Sequence, residues 1–128
     1  MRPSSPLRAV MLACLALSPV GRQKADAAEL PAEVGACSET TITEIGYRLG
    51  DPDSGSAISY ANGGVQISYD TIPEIHRSQV GDAVKLCLVS VPEDCPPGDD
   101  RGKIYRATNL RTGETWEAPD SQHSCGGA

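Results

Sequence analysis

Phenylalanine is absent from this 128-residue chain, and the other aromatics are few: four Tyr and one Trp. A core must therefore be assembled from Val, Ile and Leu, without the large buried area that each aromatic ring supplies. Long apolar runs are missing as well. Ala9–Leu17 (AVMLACLAL) is nine residues long, and a bilayer span needs roughly 17–25, so no membrane span is expected. No Gly-rich phosphate loop joins a strand to a helix, which removes nucleotide chemistry. No CxxC pair is present, which removes thioredoxin-like redox chemistry. Cys87 and Cys95 have seven residues between them, and His123 and Cys125 have one. Neither matches the spacing of a zinc site, so neither a metal nor any other cofactor is called for.

Residues 1–27 have the three parts of a secretory signal. Arg2 and Arg8 form a basic start, the Ala9–Leu17 run follows, and Ala25-Asp26-Ala27 offers small residues to a signal peptidase, with cleavage between Ala27 and Ala28. Arg22 and Lys24 intervene between the apolar run and that site. A buried N-terminal helix and lipidation at Cys14 are the two alternatives. The run has no polar repeat at helical spacing. It also continues past Cys14 as Leu15-Ala16-Leu17, so a cut there would leave too short an apolar segment.

Removing the leader leaves an even set of cysteines, Cys37, Cys87, Cys95 and Cys125. In an exported chain of this size they read as disulfides. The favoured pairing is Cys87 with Cys95 and Cys37 with Cys125. A strand running straight on past Cys87 would work against the first of these, and a barrel with its first strand antiparallel to its fourth would bring Cys37 near Cys95 instead. The leader also carries four of the eleven cations and one of the seventeen acids. The rest of the chain holds seven cations against sixteen acids, a net charge of −9. Such a chain lacks the basic face that displaces counterions from nucleic acid, so nucleic acid is excluded as a partner.

Beyond the leader, residues 28–36 read as a flexible lead-in and 37–128 as a single disulfide-bonded β domain. Thr40–Leu49 is rich in β-branched residues, with its odd positions expected on the core face and Gly46 marking a bend. Ser56–Asp70 reads as a hairpin about Asn62-Gly63. A two-residue turn there puts Ile58, Tyr60, Val65, Ile67 and Tyr69 on one buried face, with Ser59, Gln66 and Ser68 more exposed. Thr71–Val80 supports one helical turn begun by Pro73. Ala83–Val91 is a strand expected to be covered on both faces. Strands at Lys103–Leu110 and Thr115–Ala118 follow. The fold class is mostly β: a small barrel or sandwich of five to six strands with at most one short helical turn. The order matches that of oligonucleotide/oligosaccharide-binding barrels.

Catalytic residue types meet only in the tail, as Asp120, Ser121 and His123. Triad members normally converge from separate elements, so this segment reads as a polar surface tail, and no catalytic residue is assigned. Glu93, Asp94, Asp99 and Asp100 share a loop but lack a calcium-loop spacing. Arg101, Lys103, Arg106 and Arg111 are read as neutralising nearby acids. Tyr105 and Trp116 could form a stacking platform, but in a chain without Phe they read as core.

Two segments, GDAVKLCLVSVPEDCPPGDDRGKIYRATNLRTGETW (Gly81–Trp116) and PDSQHSCGG (Pro119–Gly127), resemble a group of small exported proteins of proteobacteria. That resemblance implies export and paired cysteines and no nameable activity. Ser54-Gly55 followed by Tyr60 is also similar to part of the periplasmic lysozyme inhibitors, small disulfide-bonded β-barrels whose other signatures this chain lacks. The function expected is a non-enzymatic periplasmic or secreted module binding a protein or envelope component. The alternatives are a small periplasmic hydrolase using the C-terminal His/acid segment and a purely structural envelope protein.

The cleavage reading has a direct test. The exported protein should begin at Ala28, as read by its intact mass. A mass matching a lipidated Cys14 would refute it.

Overall fold

A computed structural model describes residues 29–127. The leader and the Ala27–Ala28 cleavage site lie outside the described residues. Six strands make one sheet: β1 (Cys37–Tyr47), β2 (Ser56–Tyr60), β3 (Val65–Ile67), β4 (Ala83–Ser90), β5 (Ile104–Asn109) and β6 (Thr115–Pro119). One helical turn, α1 (Pro73–His76), separates β3 from β4, with Pro73 in its first turn as expected. The order across the sheet is β3-β2-β1-β4-β5-β6, and every neighbouring pair is antiparallel. The sheet curls into a half-barrel whose edges β3 and β6 face each other across the core. The expected sequence of strands and helical turn is therefore present, on a sheet that stays open.

Inward positions alternate along each strand, as the pleat requires. Val84, Leu86 and Leu88 of β4 are buried with Ala107 of β5 and Trp116 of β6. Ile42, Ile58, Tyr60, Ile75 and Tyr105 complete the cluster. Tyr105 and Trp116 are thus core residues. The outer face of β4 is less covered than expected: Cys87 and Val89 are half-buried, and Val91 is exposed. Within 28–36, expected as a flexible lead-in, Leu30 packs against the core and Pro31 is buried. Gly35 N–H also donates to the Leu88 carbonyl, carrying the β1–β4 ladder beyond Cys37.

Two strand faces differ from expectation, each because of one extra residue. In β1, Ile42 pairs with Tyr60 but Glu44 pairs with Ser59, so Thr43 is a bulge. A bulge inserts an unpaired residue and reverses the alternation. Thr40 and Ile42, at even positions, are therefore the buried ones, and Gly46 remains in register. In the β2–β3 hairpin the loop has three residues, Ala61-Asn62-Gly63, rather than two. Gly63 N–H donates to the Tyr60 carbonyl, Tyr60 N–H donates to that of Gly64, and Gly63 has φ 85°. This is a turn closed by a left-handed glycine. It pairs Ile58 with Gln66, not with Ile67. A one-residue slip exchanges faces, so Gln66 is buried while Val65 and Ile67 are half-buried and Tyr69 is exposed.

Burial of Gln66 is the central correction. Its Oε1 accepts from the Tyr60 hydroxyl (2.6 Å) and from Trp116 Nε1 (2.9 Å). Its Nε2 donates to the carbonyls of Tyr105 (2.7 Å) and Ala118 (3.2 Å). All four of the carboxamide's bonding capacities are used. Where backbone pairing would close a full barrel, this side chain joins β3 to β5 and β6.

Both disulfides differ from the favoured pairing. Cys37 bonds Cys87, and Cys95 bonds Cys125. β1 does run antiparallel beside β4, but the register sets Cys37 opposite Cys87 inside the strand, with Cα atoms 4.0 Å apart. Cys95, beyond the end of β4, is left to reach the tail. The loops they close span 50 and 30 residues of separation, each worth about 4 kcal/mol in the chain-entropy estimate.

Replacing Gln66 with Leu should strand two donors in the core, the Tyr60 hydroxyl and Trp116 Nε1. At about 1–3 kcal/mol per stranded group, the urea midpoint should report a loss of at least about 2 kcal/mol. A loss below about 1 kcal/mol would mean that the edges are held by something else.

Candidate functional site

The tail residues do not converge. Asp120 Oδ1 accepts from the backbone N–H of Gly102 (2.8 Å) and Lys103 (3.1 Å), fixing the start of β5. Ser121 Oγ donates to the backbone carbonyl of His123 (2.7 Å). Cys125 lies in the disulfide with Cys95. The segment is thus a knot of structural contacts around the 91–103 loop.

A serine–histidine contact does occur elsewhere. Ser56 Oγ and His76 Nε2 lie 2.8 Å apart, and Ser56 Oγ also accepts from Ile72 N–H (2.8 Å). Ser56 is fully buried at 0% exposure, which denies a substrate access to its oxygen. Its work is to pin α1 onto the start of β2. Among the described residues, no group of three or more His, Cys, Asp or Glu is placed to hold a metal ion. No helix among them is long and apolar enough to cross a membrane.

The cationic stretch is spent on local pairs. Arg101 meets Asp99, Lys103 meets Asp100, Arg106 meets Glu117, and Arg111 meets Asp82. The last reaches furthest. Asp82 also accepts from Asn109 Nδ2 and from Gln79 N–H, and the bidentate Arg111 holds its carboxyl well below the ordinary range. Together these bonds lock the β5–β6 turn to the residues entering β4.

The far end of β1 gathers exposed apolar and aromatic side chains. Tyr47 stacks on His76, with ring centroids 4.5 Å apart. The Arg48 guanidinium lies 4.0 Å over the Tyr69 ring and donates to Gln122 Oε1 (3.3 Å), while the Tyr69 hydroxyl donates to the Gln122 carbonyl. Between these aromatic contacts, the 3-10 turn Arg48–Gly50 raises Leu49 into solvent. Leu49 is 71% exposed, Tyr69 53% and Tyr47 38%. Leu49 sits in the left-handed region, at φ 58° and ψ 17°. A side-chain-bearing residue there costs roughly 1–2 kcal/mol.

The loop that presents Leu49 is internally braced. Arg48 Nε donates to the Ser54 carbonyl (2.6 Å), and Arg48 N–H to that of Gly55 (3.1 Å). Asp51 accepts from Asp53 N–H and from the Ser54 hydroxyl, and those two bonds hold its carboxyl below the ordinary range. Gly55, at φ 116°, lies so close to the Ser68 carbonyl that no Cβ would fit. Only glycine permits that approach, and through it the loop is seated against the end of β3. Asp51, Asp53 and Asp70 surround the raised turn and are exposed.

Alternation on the odd face of β1 and on the apolar face of the hairpin puts Tyr47, Leu49 and Tyr69 inside, whereas all three are exposed. The turn chemistry of Asp51-Pro52-Asp53-Ser54-Gly55, preceded by Gly50, is legible directly after Leu49. Turn chemistry that dense places the residue before it outside the strand pattern.

No protein-family model, curated protein or solved structure matches this chain.

Asp51 gives the loop a pH signature. Its folded pKa is depressed, so its bracing is full above the ordinary carboxylate range, about pH 4, and is lost as pH falls through the lowered value. Asp51→Ala should remove that dependence and speed amide hydrogen exchange at Asp53 and Ser54 at neutral pH, with the β4–β5 amides unchanged. Unaltered protection at Asp53 would count against the bracing role.

Proposed function

We propose that this protein is a non-enzymatic exported binding module, periplasmic or secreted, that docks a protein partner through the Tyr47–Leu49–Tyr69 end of its half-barrel. One observation carries the reading: Leu49 is held on a braced loop in a backbone conformation unfavourable for leucine, with its side chain out in water. Strain of that kind persists where the surroundings over-determine it, and it gathers at binding and switch positions. A rigid apolar anchor flanked by aromatic rings also loses little freedom on binding, which is the condition for a strong central contact. The exposed Asp51, Asp53 and Asp70 favour a partner whose recess is apolar at its centre and basic at its rim. The two disulfides suit an oxidising, extracytoplasmic compartment.

The test uses Leu49→Gly. Glycine adopts positive φ freely, so the variant should keep the thermal midpoint of the parent protein or raise it slightly. It should nevertheless fail to capture the envelope partner that the immobilised parent retains, and Tyr69→Ala should weaken the same capture. Equal capture by the parent and Leu49→Gly would overturn the assignment of this surface.

A further inference from the structure

The Cys37–Cys87 disulfide differs from Cys95–Cys125 in setting. It crosses the β1–β4 ladder on the outer face of the sheet, because Leu86 and Leu88 on either side of Cys87 point inward and are buried. Leu88 N–H donates to the Ala36 carbonyl one residue further on, so Cys37 and Cys87 occupy the close, non-hydrogen-bonded kind of pair. Cys37 is exposed and Cys87 half-buried. Both line a groove of about 390 Å³, together with Val34, Gly35, Lys85 and Arg106. That volume lies within the range of small-molecule sites.

The two sulfurs are electrostatically unequal. Arg106 stands directly across the β4–β5 ladder from Cys87, and Lys85 lies two residues along the same face of β4. Glu117 holds Arg106, and Glu39 stands across the ladder from Lys85. Among the described residues Lys85 makes no ion pair. Exchange runs fastest when the sulfur attacked is accessible and the sulfur expelled is stabilised as thiolate. Cys37 meets the first condition and Cys87 the second.

We propose that Cys37–Cys87 is a thiol-exchange site for a small-molecule thiol seated in this groove. The incoming thiolate forms a bond to Cys37 Sγ. The Cys37–Cys87 bond breaks, and its electron pair stays on Cys87 Sγ as a thiolate beside Lys85 and Arg106. A second thiolate then attacks the small molecule's sulfur in the mixed disulfide. This releases the oxidised small-molecule disulfide and leaves Cys37 as a thiolate, so two thiols supply the two electrons. Among the described residues, the β1–β4 ladder that this bond crosses is the one strand pairing between β3-β2-β1 and β4-β5-β6.

The test treats the disulfide-bonded protein, under native conditions, with limiting reduced glutathione, quenches with acid and maps adducts by mass spectrometry after alkylation. The first species should carry glutathione on Cys37 and the alkyl label on Cys87, with Cys95–Cys125 intact. Lys85→Gln should slow its formation roughly threefold by raising the energy of the leaving thiolate. First modification at Cys87, Cys95 or Cys125, or an unchanged rate in Lys85→Gln, would overturn the proposal.

Discussion

An open sheet of six strands has two unsatisfied edges, and here one carboxamide spans the gap between them. Gln66 connects β3 to the carbonyls of β5 and β6 while accepting from Tyr60 and Trp116. Low surrounding polarity strengthens each of these bonds and makes any unpaired member costly. The hub also explains how a chain without Phe uses its largest residues. Tyr60 and Trp116 fill the core and aim their polar atoms at one acceptor, so they set the sheet's curl as well as its volume. Burial raises the pKa of the Tyr60 hydroxyl, which keeps it a proton donor throughout the working range.

Around that hub the molecule divides its labour by position. The inner face is apolar and closed. The β5–β6 end is tied by Asp82, Asn109 and Arg111, and the tail is tied by Asp120 and the Cys95–Cys125 bond. The end carrying Leu49 presents Tyr47, Leu49 and Tyr69 together on a braced support without covering them. Stability and exposure are thus set apart in space, and the turn meets the rest of the domain through Arg48 on Gln122 and Gly55 against Ser68.

Strand positions were legible in the sequence because β-branched runs, Pro73 and the turn residues act locally. Val84, Leu86 and Leu88 alternate cleanly, and their burial follows from that alternation alone. Faces were less legible where a single residue changes the count. Thr43 and the third loop residue at Ala61–Gly63 each add one, and nothing in local chemistry distinguishes a bulge from a regular strand or a three-residue loop from a two-residue one. Gln66 reads as a surface residue in the sequence for that reason. A buried glutamine is paid for by partners that come from β5 and β6, distant in sequence and invisible to periodicity. The cysteine pairing failed on the same ground, since Cys37 meets Cys87 only once the β1–β4 register is fixed. The exposed site is hidden in the sequence because the strand alternation of β1 runs on through Leu49 into the turn.

The two bonds join the four described cysteines in their order along the chain, Cys37 with Cys87 and Cys95 with Cys125. A polypeptide threaded N-terminus first into an oxidising compartment presents Cys37 and Cys87 before Cys125 arrives. An oxidant that links these four thiols in the order of their emergence produces the native pairs. The Cys37–Cys87 bond needs neither β5 nor β6, whereas the Cys95–Cys125 bond needs both strands and the segment beyond them.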